Sequence, residues 1–389
     1  MSRILPWTWP EQSAVQPLYF DYAATTPVDE RVIEKMVACL GREATFGNPA
    51  SSSHVFGQQA REQVERARRQ VAGLVGANPT QLVWTSGATE SNNLALKGIA
   101  QARAGRKGHI LSSQLEHKAV LDTLKQLEGE GFEVTLLAPD RSGAITLEAV
   151  NAALRDDTFL VSLMLVNNEL GTVTDIDAIG ARVRNHGALF HVDAAQATGK
   201  VDIDLAILPV DLMSFSAHKT YGPKGIGALY IGARAQNQVQ AQIHGGGHEL
   251  GLRSGTLATH QIVGMGEAFA LAREHGDSER AHIAVLRQRL LNALADSPIV
   301  LNGSKTEHVP HTLSITPYRD FAIGNELAFS STSACNSASN APSHVLLALG
   351  LKADEAQRTI RLSVGRFTTE QEVDRAATLI RKAMAAPTP

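Results

Sequence analysis

The sequence predicts an α/β protein in which a large domain on a mostly parallel sheet is followed by a smaller α+β domain. Three observations predict it. From about Gln58 onward, helical patterns alternate with short apolar runs, the order produced by parallel strands joined through crossover helices. Several of those runs are apolar on both faces, as in strands covered by helices on either side. After about Ala270 the pattern turns to longer helices with fewer apolar runs. The 389 residues, at roughly 100–200 per domain, allow two or three domains.

In chain order, Ala60, Val64, Ala67, Val71 and Leu74 recur at spacings of three and four, which makes one apolar helix face, and Gly76 is placed to stop it. Strands are expected at Gln81 to Thr85, His109 to Ser112, Val134 to Leu137, Phe159 to Val166, Leu189 to Val192 and Leu212 to Phe215. Leu94, Ala95, Gly98 and Ile99 keep helical spacing after the first of these. Ile283, Leu286, Leu290 and Leu294 mark a later helix. Near the end, Thr369 and Glu372 have capping-box spacing ahead of Val373, Ala377, Ile380 and Met384. The polar stretch Glu274 to Arg280 is taken as the division. Residues 1–28 then form an N-terminal segment packing with the small domain, 29–275 the large domain and 276–389 the small one.

Composition narrows the function. With 36 Lys and Arg against 39 Asp and Glu, bulk charge points to neither nucleic acid nor an anionic membrane. The two cysteines, Cys39 and Cys335, exclude a disulfide framework and a four-thiolate metal site within one chain. Pro6 and Pro10 interrupt the only N-terminal apolar patch, so no cleavable signal is expected. No window reaches the roughly 20 apolar residues of a membrane span. A cytoplasmic protein is expected.

In parallel α/β sheets, ligands bind at the carboxyl ends of strands, so the polar residues there carry the argument. Thr85 leads into Ser86, Gly87, Ala88 and Thr89 at a helix start, which is either a plain cap or an anion seat. Gly222, Gly225 and Gly227 match neither a dinucleotide nor a Walker loop. Asp193 ends an apolar strand and needs a cation or donor. Ser216, His218 and Lys219 end the next strand, and a desolvated lysine there is available as a nucleophile. An acid, a lysine and a phosphate seat on neighbouring strand ends fit pyridoxal phosphate.

The stretch from Asp211 to Tyr230 resembles the cysteine desulfurases of the IscS/NifS type, in the class V family of pyridoxal-phosphate-dependent aminotransferases. So do Asp21 to Pro27, Phe46 to Ser51, Thr85 to Ser91, Glu116 to Val120, Val166 to Glu169, His191 to Asp193, His244 to Glu249, Arg253 to Leu257 and Arg361 to Phe367. The resemblance implies a fold-type I transferase, its large domain built on a mostly parallel seven-stranded sheet, acting as a homodimer. It implies that Lys219 bonds covalently to pyridoxal 5'-phosphate, Asp193 pairs with the ring nitrogen, His117 stacks on the ring and assists proton transfer, and Gln196 meets the phenolic oxygen. Ala88, Thr89, Ser216 and His218 would hold the phosphate, with Thr256 supplied by the other subunit, and Asn168 and Arg361 would hold the carboxylate of L-cysteine.

Cys335 lies in a run of small polar residues from Ser330 to Pro342, expected to form a mobile loop, whereas Cys39 sits between Ala38 and Leu40 and is expected in the core. By the resemblance, Cys335 takes sulfur as a persulfide and passes it to an acceptor protein, either an iron–sulfur scaffold or a thiolation carrier. No resident metal is implied, and a transient iron–sulfur cluster on Cys335 would need thiolates from a partner. The longer N-terminus with Trp7 and Trp9, the shortened segment from Leu313 to Cys335 and the end at Pro389 set the chain apart from housekeeping desulfurases, which leaves open a dedicated acceptor in place of the scaffold; Thr332 and Asn336 alter the loop without removing the thiol. Selenocysteine lysis, transamination and a non-catalytic assembly platform remain the alternatives. His244, His248 and Glu249 are read as part of a glycine-rich loop rather than a metal site.

Overall fold

The computed structural model describes residues 16–103, 105–331 and 341–385. Cys335, Thr332 and Asn336 lie outside the described residues, as do Trp7 and Trp9. The chain enters through the short strand β1 (Leu18–Tyr19) and passes to helices α1 (Glu30–Val37) and α2 (Val55–Val75). Asp29 caps α1 by accepting from Arg31 N, and Gly76 closes α2 in the left-handed region at φ 64°, which a glycine enters without a Cβ penalty.

There follow β2 (Leu82–Thr85), α3 (Ala88–Ala102), β3 (His109–Ser113), α4 (Lys118–Gly129), β4 (Glu133–Leu137), α5 (Leu147–Ala153), β5 (Thr158–Met164), α6 (Ile176–His186), β6 (Leu189–Asp193), β7 (Leu212–Ser216) and β8 (Gly227–Ile231). They form a seven-stranded sheet in the order β2-β8-β7-β6-β5-β3-β4. The pairs from β7 through β4 are parallel; β8 runs antiparallel to both β2 and β7. Strands β2, β3, β5, β6, β7 and β8 are buried along their whole length, because helices cover both faces of the sheet. The run expected to reach Val166 leaves the sheet at Met164, and Val166 makes an isolated antiparallel bridge to Val173. Strand β8 is not among the strands expected from the sequence, because it starts at Gly227, one of the glycines weighed as a nucleotide loop.

Helix α7 (Thr259–Ala293) is 35 residues long and contains the whole polar stretch from Glu274 to Arg280. The division taken there therefore falls inside a continuous helix. The first half of α7 buries Ile262, Met265 and Phe269 in the core of the large sheet; the second half buries Ile283, Leu286 and Leu290 in another. This other core lies under β10 (Thr312–Pro317), β11 (Leu327–Ala328), β13 (Ile360–Ser363) and α10 (Glu370–Ala385), with β9 (Ile299–Asn302) and β12 (Ser330–Ser331) at the edges of its sheet, whereas α8 (His344–Ala348) and α9 (Ala353–Arg358) bury Val345, Leu346 and Ala356 in the core of the large sheet. Strands β12, β13, β10 and β9 make a four-stranded antiparallel sheet in that order. The N-terminal segment joins this region: β1 pairs parallel with β11, and Leu18 and Phe20 enter its core. The capping box of α10 is present, with Thr369 N donating to Glu372 Oε2 (2.8 Å) and Glu372 N to Thr369 Oγ1 (3.2 Å).

Candidate active site

The carboxyl ends of β6 and β7, the start of α3 and the strand β13 meet at a cavity of about 490 Å³, within the size range of small-molecule sites. Ala88, Thr89, His117, Asn168, Asp193, Gln196, Ser216, His218, Lys219 and Arg361 all line it. Thr256 does not; it is exposed on the loop before α7.

Lys219 ends a single 3₁₀ turn directly after β7, and its Nζ donates to the backbone oxygens of Ala23 (2.7 Å) and Ala24 (2.6 Å). The turn is held in an unusual shape. Tyr221 has φ 58°, costly for a bulky residue, and the N-terminal segment fixes it: Tyr221 N donates to Thr26 Oγ1 (2.8 Å) and Asp29 N to Tyr221 O (3.1 Å). The segment before α1 thus sets where the lysine amine stands.

Asp193, the last residue of β6, is 4% exposed. Its partners are Asn92 Nδ2 (2.8 Å) and Ala195 N (2.9 Å). Both donors are neutral, so the buried carboxylate keeps its capacity for a cation in the cavity. Asn92 was missed from sequence; its place four residues after Ala88, on the same face of α3, was the available signal. Beneath lies a second missed group, Glu116, wholly buried. Ser113 Oγ (2.6 Å) and Met164 N (3.2 Å) both donate to its Oε1, while Oε2 is buried without a protein partner. Burial, with the nearby Asp193 charge adding to it, pushes the Glu116 carboxyl up to about 8, so at neutral pH it carries a proton.

His117 caps α4, its Nδ1 accepting from Ala119 N (3.1 Å). In the neutral ring the proton therefore sits on Nε2. The ring faces the open cavity, yet protein surrounds it closely enough that desolvation lowers its pKa, against the opposing pull of Asp193. His218 is likewise held neutral, brought down to about 4 by desolvation and by Lys219 and Lys224, with Nδ1 3.1 Å from Thr25 Oγ1.

Arg361 reaches the cavity from β13 and is 2% exposed. Nη1 donates to Asn168 O (2.9 Å), and Nη2 to Asp21 Oδ1 (2.8 Å) and Ser330 Oγ (2.9 Å). Asn168 is thus tied to the guanidinium by its backbone carbonyl, while its residue lines the cavity.

Pyridoxal phosphate fits these atoms. Helix α3 begins at Ala88, directly after Gly87 at φ 151°, with no side chain capping its N-terminus, which leaves a donor-rich helix start beside Ser216 and His218 for a phosphate. Asp193 would suit a protonated ring nitrogen, and Lys219 would supply the amine. Glu249, by contrast, is engaged elsewhere: its carboxylate accepts from Arg68 Nη1 (2.9 Å), Arg68 Nη2 (2.8 Å) and Trp84 N (2.8 Å). His248 Nδ1 accepts from Gly255 N (3.2 Å). These contacts tie the glycine-rich loop to α2 and β2. Cys39 is buried, as expected, and burial raises its thiol pKa.

The chain is similar to known proteins along most of its length. The model of the aminotransferase class-V family matches residues 18–376. The chain is 58% identical over 376 residues to the cysteine desulfurase IscS of Pseudomonas aeruginosa strain LESB58, covering 95% of this chain and 93% of that one. It is equally similar, with the same coverage, to cysteine desulfurase IscS of Azotobacter vinelandii. Among solved structures, a NifS-like protein superimposes with a TM-score of 0.87 at 37% identity, covering 94% of this chain and 99% of that one. SspA, solved in complex with cysteine, superimposes with a TM-score of 0.80 at 41% identity over 90% of this chain and 99% of that one.

Proposed function

The chain belongs to the aminotransferase class-V family, and from that premise we propose how its residues act. It is a pyridoxal-phosphate-dependent cysteine desulfurase, converting L-cysteine to L-alanine with transfer of the sulfur. The observation that carries the residue assignment is convergence: the Lys219 amine and the Asp193 carboxylate reach one cavity from adjacent parallel strands, with Arg361 arriving from the other sheet.

When bound, the cofactor supplies an electron sink for the pair left at the substrate Cα. Asp193 holds a proton on the ring nitrogen. Lys219, whose Nζ the carbonyls of Ala23 and Ala24 can hold when it is not bonded to the cofactor, takes the Cα proton. His117, neutral and with its proton on Nε2, is placed to pass a proton at the ring face. Arg361 binds the substrate carboxylate, its guanidinium already oriented by Asn168 O, Asp21 and Ser330. The thiolate of Cys335 attacks the substrate sulfur; an S–S bond forms, the Cβ–S bond breaks with its electron pair staying on carbon, and protonation gives alanine. The enzyme is left as a Cys335 persulfide, which a sulfur-acceptor protein discharges.

Thr256 is read as serving the cavity of a partner subunit in a homodimer, a reading supported by its exposure outside its own chain's cavity. The reaction is assigned to the cytoplasm, in keeping with a free buried thiol at Cys39 and with no helix among the described residues being long and apolar enough to cross a membrane.

The test is direct. Cys335→Ser should retain the bound-cofactor absorption band and lose cysteine-dependent sulfide release, and Lys219→Ala should lose both the band and alanine formation. Sustained sulfide release by Cys335→Ser would sink the sulfur-carrier assignment. In mixed dimers, Thr256→Ala on one subunit should weaken cofactor binding at the other subunit's site.

A further inference from the structure

Lys219 also lines a second, much smaller cavity of about 20 Å³, shared with Lys200, Tyr221, Glu279, His311 and Arg366. Lys200 lies in the turns after β6, four residues beyond Gln196, and its Nζ donates to Gln196 Oε1 at 2.7 Å. Gln196 is 6% exposed and lines the main cavity. Its Nε2 donates to Ala23 O at 2.8 Å, the same carbonyl that accepts from Lys219 Nζ.

A glutamine amide has one acceptor oxygen and two N–H donors, and alone it can turn over and exchange them. Here it cannot do so without loss. Turned over, it would set its NH₂ against the Lys200 amine and its oxygen against the carbonyl of Ala23, replacing two hydrogen bonds by two repulsive contacts. With Oε1 committed to Lys200 and one N–H to Ala23, the second N–H is the group left for the main cavity.

We propose that Lys200 is a positioning residue of the desulfurase site: by holding Gln196 Oε1 it commits the Gln196 amide N–H to the phenolic oxygen of the cofactor. This rests on the reading that Gln196 faces that oxygen. Burial, with the positive charge of Lys219 adding to it, brings Lys200 down to about 7, Glu279 opposing and Arg361 contributing. As the ammonium, Lys200 carries donors only and fixes the direction of the amide; as the neutral amine it still donates but also has a lone pair, and the acceptor-only carbonyl of Ala23 then keeps the N–H side of the amide in place.

The experiment is a double-mutant cycle on the cofactor-loaded enzyme, read by pH titration of the bound cofactor's absorption band. Losing a donor makes the phenolic oxygen more basic, so Lys200→Met should raise the titration midpoint by about half a pH unit or more, the size of one hydrogen bond. In a Gln196→Ala background the same substitution should shift it markedly less. Equal shifts in the two backgrounds would mean that Lys200 acts by charge alone and overturn the proposal. A band that responds to Gln196→Ala but not to Lys200→Met overturns the role of Lys200; a band indifferent to Gln196→Ala overturns the placement of Gln196; a protein without the band overturns the cofactor assignment itself. Where Lys200→Met fails to load cofactor, Lys200→Gln and Lys200→Glu give the reading, donor against acceptor. The Gln variant should keep the wild-type midpoint, and a Gln variant shifted as far as Glu overturns the proposal.

Discussion

Replacing Glu249 by alanine should destabilise the protein by about 3 kcal/mol. The carboxylate is paired with Arg68 at 2.8 Å, and the two side chains are 4% and 10% exposed. Removing one partner of a buried pair typically costs about 3–5 kcal/mol, because the other charge stays buried without compensation. The lower end applies here, since Arg68 keeps Leu82 O (2.8 Å) and the half-exposed Glu65 (3.2 Å). Trp84 N would lose its acceptor as well. The pair also anchors Glu249 and Leu250, whose φ values of 50° and 58° lie in the left-handed region that side chains avoid. Urea unfolding at fixed protein concentration measures the cost. Replacing both partners by apolar residues, Arg68→Met with Glu249→Leu, should recover to within about 1 kcal/mol of wild type. A loss below about 1 kcal/mol for Glu249→Ala alone would place the pair among surface ion pairs and refute the burial argument.

Three further outcomes follow from the same geometry. Gly87→Ala meets no atom within 4 Å of its Cβ, but φ 151° strains any side-chain residue by about 1–3 kcal/mol; the helix start at Ala88 should shift, and phosphate-dependent cofactor affinity, measured by equilibrium dialysis, should fall while an alanine variant of equal affinity would refute it. Gly365→Ala places a Cβ 2.2 Å from Tyr22 Cδ1 and 2.5 Å from the Tyr221 hydroxyl, overpacking that should cost about 1–3 kcal/mol and lower the melting temperature. For Glu116, the carboxyl at about 8 in the fold and near 4.5 when unfolded holds a proton that the unfolded chain has released, so its contribution to stability is present below pH 4.5 and is lost as pH rises toward 8. Between pH 5 and 7 that loss is on the order of 3 kcal/mol; Glu116→Gln should keep the Ser113 and Met164 contacts and remove this slope, and an unchanged slope would show that another group sets it.

What the sequence made legible, and what it hid, depends on how local the physical cause was. Strands β3, β5, β6 and β7 announce themselves because burial on both faces keeps them mostly apolar, broken only by small or hydrogen-bonded polar residues such as Ser162, His191 and Ser214, and the charged residues Asp193, at the end of β6, and Lys219, just past β7, stand out against them. Strand β8 was hidden by Gly227, whose lack of a side chain answers a contact remote in sequence: a Cβ there would lie 2.7 Å from Gly87 Cα. Helix α7 was divided because its two halves bury their apolar residues in different cores, so no single stripe runs its length, and the polar stretch between them copies the composition of a linker. The supporting groups of the site were hidden for a related reason. Ala23 O joins Gln196 and Lys219 across gaps of 173 and 196 residues, and Arg361 meets Asp21 across 340. A carboxylate, an amine or an amide shows its type in the sequence, but its orientation is set by partners brought in by the fold. Substitutions at Asn92, Glu116 and Lys200, none of them singled out from the sequence as a site residue, are therefore where altered reaction geometry should appear with the reacting groups unchanged.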